Sequence, residues 1–186
     1  MLKRTAYIEA RQKAAEMIQN AGLVVKDEEI AQMDIADFGL SNLYKEGAQI
    51  LTFFNTDRVS AKVIALFPNQ TEPEHWHTAV GEDPGKEETV RVAWGAVRFY
   101  VPGEVNMEKG FIPKGKEQYY TVRHEIIMEA GDQITLAPGK KHWFQAGDEG
   151  VVLYTFSSAA RDALDPFTDP FIVRVTEVID DEQTII

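Results

Sequence analysis

The feature that most restricts the fold is a train of short segments between about residues 50 and 157. They read AQILTFFN, SAKVIALFP, ETVRVAW, AVRFYVPG, YYTVRHEIIME, DQITLAPG, HWFQAG and VVLYTFSS. Each is rich in Val, Ile, Thr or aromatic residues, and Gly, Pro, Asn and Asp separate them. Branched and aromatic side chains pack well on a pleated surface, and the intervening residues turn the chain. Many short strands at this spacing predict a mainly β sandwich or barrel.

The flanks differ. Residues 3–20 lack Pro and Gly and are dominated by Ala, Glu, Lys, Arg and Gln, which predicts a helix. Tyr7, Ala10, Ala14, Met17 and Ile18 recur at helical spacing and give it one apolar face. Asp27 reads as the N-cap of a second helix over DEEIAQMDIADFG, with acids in its first turn. Such helices cover a sheet or join a dimer interface. After Ser158 the chain loosens into a tail, 158–186, whose two Asp-Pro steps resist helix. No Gly-, Ser- or Pro-rich linker divides the 186 residues, so one domain is expected: helices over 1–40, strands over about 50–157, then the tail.

Charge and cysteine usage restrict partners. The formal net charge of -11 provides no basic face for a phosphate backbone or an anionic membrane surface, so neither nucleic acid nor membrane is an expected partner. With no cysteine, a metal site must use His, Asp, Glu or backbone oxygen. The first residues contain no apolar core of a signal peptide, and no apolar run approaches the ~20 residues needed to cross a bilayer. A cytoplasmic protein is expected.

Two of the four histidines, His75 and His77, stand one residue apart in PEHWHTAV. On a strand both project to one face, with Trp76 on the other. That supplies two nitrogen ligands, although two satisfied strand histidines share the same pattern. A β-scaffold site needs one or two more ligands, usually a carboxylate and a third His. Parity selects among the acids. If Glu88 faces inward, so do Val90, Val92 and Trp94; if Glu87 does, so do Thr89, Arg91 and Ala93. The first set makes the better core face, so Glu88 is preferred over Glu87 and over Glu82 in its turn-like loop. Lys86 has the parity of Glu88 and belongs at the mouth of the same cavity. His124 and His142 are then equal candidates for the third histidine, and Phe144 shares the parity of His142.

These residues resemble the two cupin motifs. Asn69, five residues, His75-Trp76-His77, ten residues, Glu88, six residues and Gly95 match the first, except that the pattern begins with Gly and has a shorter gap between His and Glu. Gly131, Ala137-Pro138-Gly139, two residues and His142 match the second, with Ala146 where the pattern has Asn. Longer stretches are similar to the bacterial cupin-type D-lyxose isomerases: NTDR, FPNQTEPEHWH, GKEETVRVAWGAVRFYVPGE, YTVRHEIIMEAGDQITLAPGKKHWFQAGDEGVV and FTDP. The resemblance implies a jelly-roll barrel with the N-terminal pair of helices packed outside. It implies a divalent metal, commonly Mn²⁺, on His75, His77, Glu88 and His142, and so favours His142 over His124. It further implies interconversion of D-lyxose and D-xylulose, and of D-mannose and D-fructose, by a homodimer.

The chemistry is consistent with that implication. Moving hydrogen between C1 and C2 of a sugar requires a polarised carbonyl, stabilisation of a cis-enediolate and a base. Three neutral histidines and a carboxylate suit Mn²⁺, Fe²⁺, Co²⁺ or Zn²⁺. Lys86, made more acidic by a neighbouring metal charge, is the expected proton or hydrogen-bond donor. The candidates for the shuttling base are Glu87, Asp165, Asp169 and Glu177, with His124 and Phe144 as further substrate contacts. The same ligands also serve a non-haem iron dioxygenase or a non-catalytic sugar-binding cupin, and fold alone does not separate these.

Overall fold

A computed structural model describes residues 1–182 of the chain; the end of the tail, 183–186, lies outside the described residues. Helix α1 spans Arg4–Asn20 and α2 spans Asp27–Ala31. The strands are β1 (Leu2–Lys3), β2 (Asp34–Ala36), β3 (Ala48–Asn55), β4 (Val59–Leu66), β5 (Thr71–His75), β6 (Glu88–Val101), β7 (His124–Glu129), β8 (Gln133–Leu136), β9 (His142–Ser158) and β10 (Val178–Ile179).

The architecture follows from two long strands. On one edge of β9, residues 142–145 pair with β5 while 151–158 pair with β4. On the far edge of β6, residues 88–91 pair with β8 while 96–101 pair with β7. Each long strand therefore serves both halves of an antiparallel jelly roll: β2-β3-β4-β9-β6-β8 and β5-β9-β6-β7. The bend in β6 sits at Gly95, whose φ is +77°. A Cβ there would lie 2.3 Å from the Gly150 carbonyl oxygen, so the two strands cross only with glycine at this point. Ile50, Ile64, Leu66, Val90, Val92 and Leu153 from one half meet Val97, Phe99, Phe144 and Ala146 from the other as the interior core.

Helix α1 closes the outside. Ala10, Ala14, Ala15 and Ile18 are buried against Leu51, Val63, Ala65 and Val152. The predicted apolar stripe is thus occupied by this chain's own barrel and is not left for a dimer contact. The second helix is shorter than predicted. It ends at Ala31, its N-cap is Lys26 and not Asp27, and Asp34–Ala36 becomes a strand on the edge of β3. That edge offers backbone partners that outweigh the weak helical preference of the segment. Trp94 also departs from expectation. A register shift between Val92 and Trp94 turns its ring from the interior to the layer beneath α1.

The tail returns across the barrel. Thr168 N–H donates to Glu74 O, Trp76 N–H to Pro166 O and Val173 N–H to Phe38 O. It finishes as β10, parallel to β1. Among the described residues no helix is long and apolar enough to cross a membrane.

Candidate active site

One end of the interior is not filled with apolar side chains. His75 and His77 from β5 and its extension meet His142 from the start of β9, where His75 and His142 are direct cross-strand partners. Their ligating nitrogens lie within 4.8 Å of one another and all three residues are buried. Phe99 stacks on the His142 ring at 5.8 Å, and Phe144 stacks on Phe99 at 5.2 Å. These rings hold the imidazole against rotation.

The hydrogen bonds set the tautomers. His75 Nδ1 meets Pro73 O at 2.8 Å, and His142 Nδ1 meets Lys140 O at 2.9 Å. A carbonyl only accepts, so Nδ1 carries the hydrogen in both and Nε2 presents a lone pair. His142 Nε2 is buried with no partner. Burial, reinforced by the neighbouring rings, holds His75 well below its ordinary pKa and lowers His142 to about 4. Both are therefore neutral, as a metal ligand must be.

His77 is placed differently. Its Nδ1 lies 2.9 Å from Asp165 Oδ2 and its Nε2 3.3 Å from Glu88 Oε2. Burial works against its charged form, but the Asp165 and Glu88 carboxylates outweigh that and raise its pKa. A cation between His77 Nε2 and Glu88 is thus favoured, and a metal ion fits there as well as a proton does. The orphaned His142 nitrogen and the two fixed tautomers make His75, His77 and His142, with Glu88 beside them, a donor set suited to a divalent first-row metal.

The surrounding charges form a chain. Lys86 Nζ reaches Glu88 Oε1 at 3.1 Å and Asp162 Oδ1 at 3.2 Å, and Lys62 pairs with the other oxygen of Asp162. Burial opposes the charge on Lys86, but Glu88, Asp162 and Asp165 more than compensate and raise its pKa. This reverses the expectation that Lys86 readily loses its proton. That expectation weighed only a metal charge, whereas the fold adds three carboxylates. Glu88 is in turn kept ionised: burial resists this, but Lys86 and His77 prevail.

The cavity offers about 30 Å³ to water-sized molecules. Its wall combines His75 and His77, which have His142 packed beside them, with Glu72, Lys62, Lys86, Glu88, Phe144, Thr155, Asp162, Asp165, Phe167 and Arg174. Of the residues singled out in the sequence, His75, His77, Lys86, Glu88, His142, Phe144 and Asp165 all come together here. Parity placed Glu88 correctly: it is buried, whereas Glu82 and Glu87 are exposed. Three others lie elsewhere. His124, at the start of β7, hydrogen-bonds the carbonyl of the loop residue Glu104 at 2.8 Å. Asp169 is buried against Lys116. Glu177 is exposed, and its carbonyl accepts from Leu2 N–H. The tail does reach the cavity, but it presents Asp162, Asp165, Phe167 and Arg174 there and not Asp169 or Glu177.

Two departures from the cupin pattern have physical explanations. Asn69 stands where the pattern has Gly and adopts φ +57°, a conformation Asn tolerates better than most residues. The ten residues between His77 and Glu88 loop out and return so closely that a Cβ on Gly85 would lie 2.6 Å from His77 O. The longer gap therefore leaves Glu88 beside the histidines. Glu72 and Thr155 had no motif to mark them. Glu72 has the parity of Glu74, which points outward to Thr121, Val122 and Thr168. A register shift between Glu72 and His75 brings both to the cavity. Pro73 at that point is the one available signal, since proline within a sheet favours edges and bulges.

The comparisons agree with this geometry. Residues 7–186 match the family model described as D-lyxose isomerase. The chain is 49% identical over 175 residues to a D-lyxose ketol-isomerase from Cohnella laeviribosi, covering 94% of this chain and 96% of that protein. It is 46% identical to a D-lyxose/D-mannose isomerase from Thermosediminibacter oceani, covering 97% and 100% respectively. Among solved structures, the L-ribose isomerase of Cellulomonas parahominis shares the fold, with a TM-score of 0.79 at 14% identity, covering 96% of this chain and 98% of that one. With family-level similarity along nearly the whole sequence and a buried His/Glu site inside a cupin barrel, this chain belongs to the D-lyxose isomerase family.

Proposed function

We propose that the chain is a metal-dependent aldose–ketose isomerase that interconverts D-lyxose and D-xylulose, and D-mannose and D-fructose, through a cis-enediolate. The observation that carries this reading is the convergence of three buried histidines, two of them neutral with fixed tautomers, beside Glu88 and Lys86. We assign His75, His77, Glu88 and His142 to hold the ion, with Mn²⁺ the expected metal. When bound, the ion supplies Lewis acidity that polarises a sugar carbonyl and acidifies the adjacent C–H.

The chain's own groups do the rest. Pro73 O, Lys140 O and Asp165 orient the three imidazoles. Lys86, held charged between Glu88 and Asp162, offers N–H bonds to a sugar oxygen as negative charge develops on it. Phe144, Phe167 and the tail exclude water from an enediolate that would otherwise be exposed to side reactions. The cavity matches its four carboxylates against three cationic side chains, most of them already paired, which suits a neutral sugar better than a phosphorylated one. A single cupin domain working as a cytoplasmic homodimer completes the proposal.

The test is a panel of pentoses and hexoses incubated with the protein and Mn²⁺. Ketose should form from D-lyxose and D-mannose, and EDTA should abolish it. Absence of ketose from every aldose rejects the reading, and oxygen consumption with Fe²⁺ would replace it with a dioxygenase. Glu88→Gln should lose bound metal and activity together, while Glu82→Gln, at an exposed loop position, should keep both. Metal content by elemental analysis separates these outcomes.

A further inference from the structure

Four carboxylates line the cavity, and three are engaged. Glu88 meets Lys86 and His77, Asp162 meets Lys62 and Lys86, and Asp165 meets His77. The fourth, Glu72, makes no hydrogen bond among the described residues, and its Oε2 is buried without a partner. Leaving a carboxylate oxygen unsatisfied in a protein interior is costly, so its retention calls for an explanation. The register shift in β5 is what brings Glu72 to the cavity, level with Phe144 on β9. The Arg174 guanidinium also lines the cavity, but it is hydrogen-bonded to Asp34 at 2.9 Å and does not lock Glu72.

Resting on the isomerase reading above, we infer that Glu72 is the catalytic base that carries the proton between C1 and C2 of the sugar. A base for this work must be free to accept a proton and to return it, and an ion-paired carboxylate is poorly suited because its charged form is stabilised. Asp165 is such an engaged group and acts as a positioning residue for His77. Burial raises Glu72 to about 7, with Arg174 opposing, which favours reversible transfer near neutral pH.

The step balances without an added reactant. The Glu72 carboxylate takes the hydrogen on C2 as a proton. The C2–H electron pair becomes the C1=C2 bond, and the carbonyl π pair moves to O1. The hydroxyl proton then passes from O2 to O1. The O2 electron pair forms the new C2 carbonyl, and the C1=C2 pair takes the proton back from Glu72 at C1. Glu72 ends as it began.

The test compares wild type, Glu72→Gln and Glu72→Asp, each as the full chain loaded with Mn²⁺. Glu72→Gln should retain metal and a wild-type KM but lose about 10²–10⁴-fold in kcat. Glu72→Asp, which keeps a carboxylate, should exceed Glu72→Gln. An active wild type with Glu72→Gln within tenfold of it overturns the assignment and leaves the isomerase reading intact. Loss of metal in Glu72→Gln, or Glu72→Asp no faster than Glu72→Gln, also overturns it. A wild type inert on every sugar overturns the isomerase reading and this assignment with it.

Discussion

At the scale of single residues, the site works through what each polar atom is denied. His75 and His142 are denied protonation by burial, while their Nδ1 bonds fix the tautomer that leaves the Nε2 lone pair free. Glu72 is denied a partner, with a consequence for stability. Its ordinary pKa is 4.5, and burial raises it to about 7 in the folded chain. Between these values the unfolded chain has released its proton while the folded chain keeps it. The folded state then binds more protons, so this group makes stability fall as pH rises from about 4.5 to about 7. The full penalty is about 3 kcal/mol above that range. Urea unfolding of metal-stripped protein should show Glu72→Gln equal to wild type near pH 4.5 and more stable at pH 7.5. A constant difference across that range would show that Glu72 titrates normally.

At the scale of elements, irregularities place the chemistry. The register shift in β5 admits Glu72, the one in β6 sends Trp94 outward, and the bend at Gly95 lets one strand serve two sheet halves. Gly95→Ala tests this. Its methyl group would meet the Gly150 carbonyl oxygen, and the residue would be held at positive φ. The expected cost is about 2–4 kcal/mol, read as a lowered urea midpoint with an unchanged m-value. Stability close to that of wild type would mean that the strands can separate at the crossing without loss. The helices show the same logic from outside. The apolar stripe of α1 was legible because 3.6-residue periodicity is local, whereas the conversion of Asp34–Ala36 to strand depended on a β3 edge that local pattern does not reveal.

At the scale of the whole molecule, the tail and the loop before β7 are fastened beside the site. Glu74 is the shared anchor: it accepts from Val122 N–H at 2.9 Å and from Thr121 and Thr168, with Lys141 at 3.4 Å. Glu74→Ala should cost about 3 kcal/mol, because it strands several part-buried donors at once. In a chain of this size that is a fall of roughly 6–12 °C in Tm by calorimetry. A fall of less than about 2 °C would show that the tail and loop are held independently of Glu74.

The sequence alone determined the β-rich class, the helix on its face, the His75–His77 pair and, by parity, the choice of Glu88 over Glu82. Each rests on a period of 2 or 3.6 residues that survives folding unchanged. The resemblance to cupin motifs added His142. Only the tertiary structure decided that Glu72 enters the cavity, that Lys86 is clamped by Glu88 and Asp162, and that the tail contributes Asp165 and Arg174 while Asp169 and Glu177 lie elsewhere. These depend on register shifts and on contacts between segments far apart in the chain. A one-residue bulge reverses every later side chain on its strand, and local spacing carries little sign of where that bulge will fall.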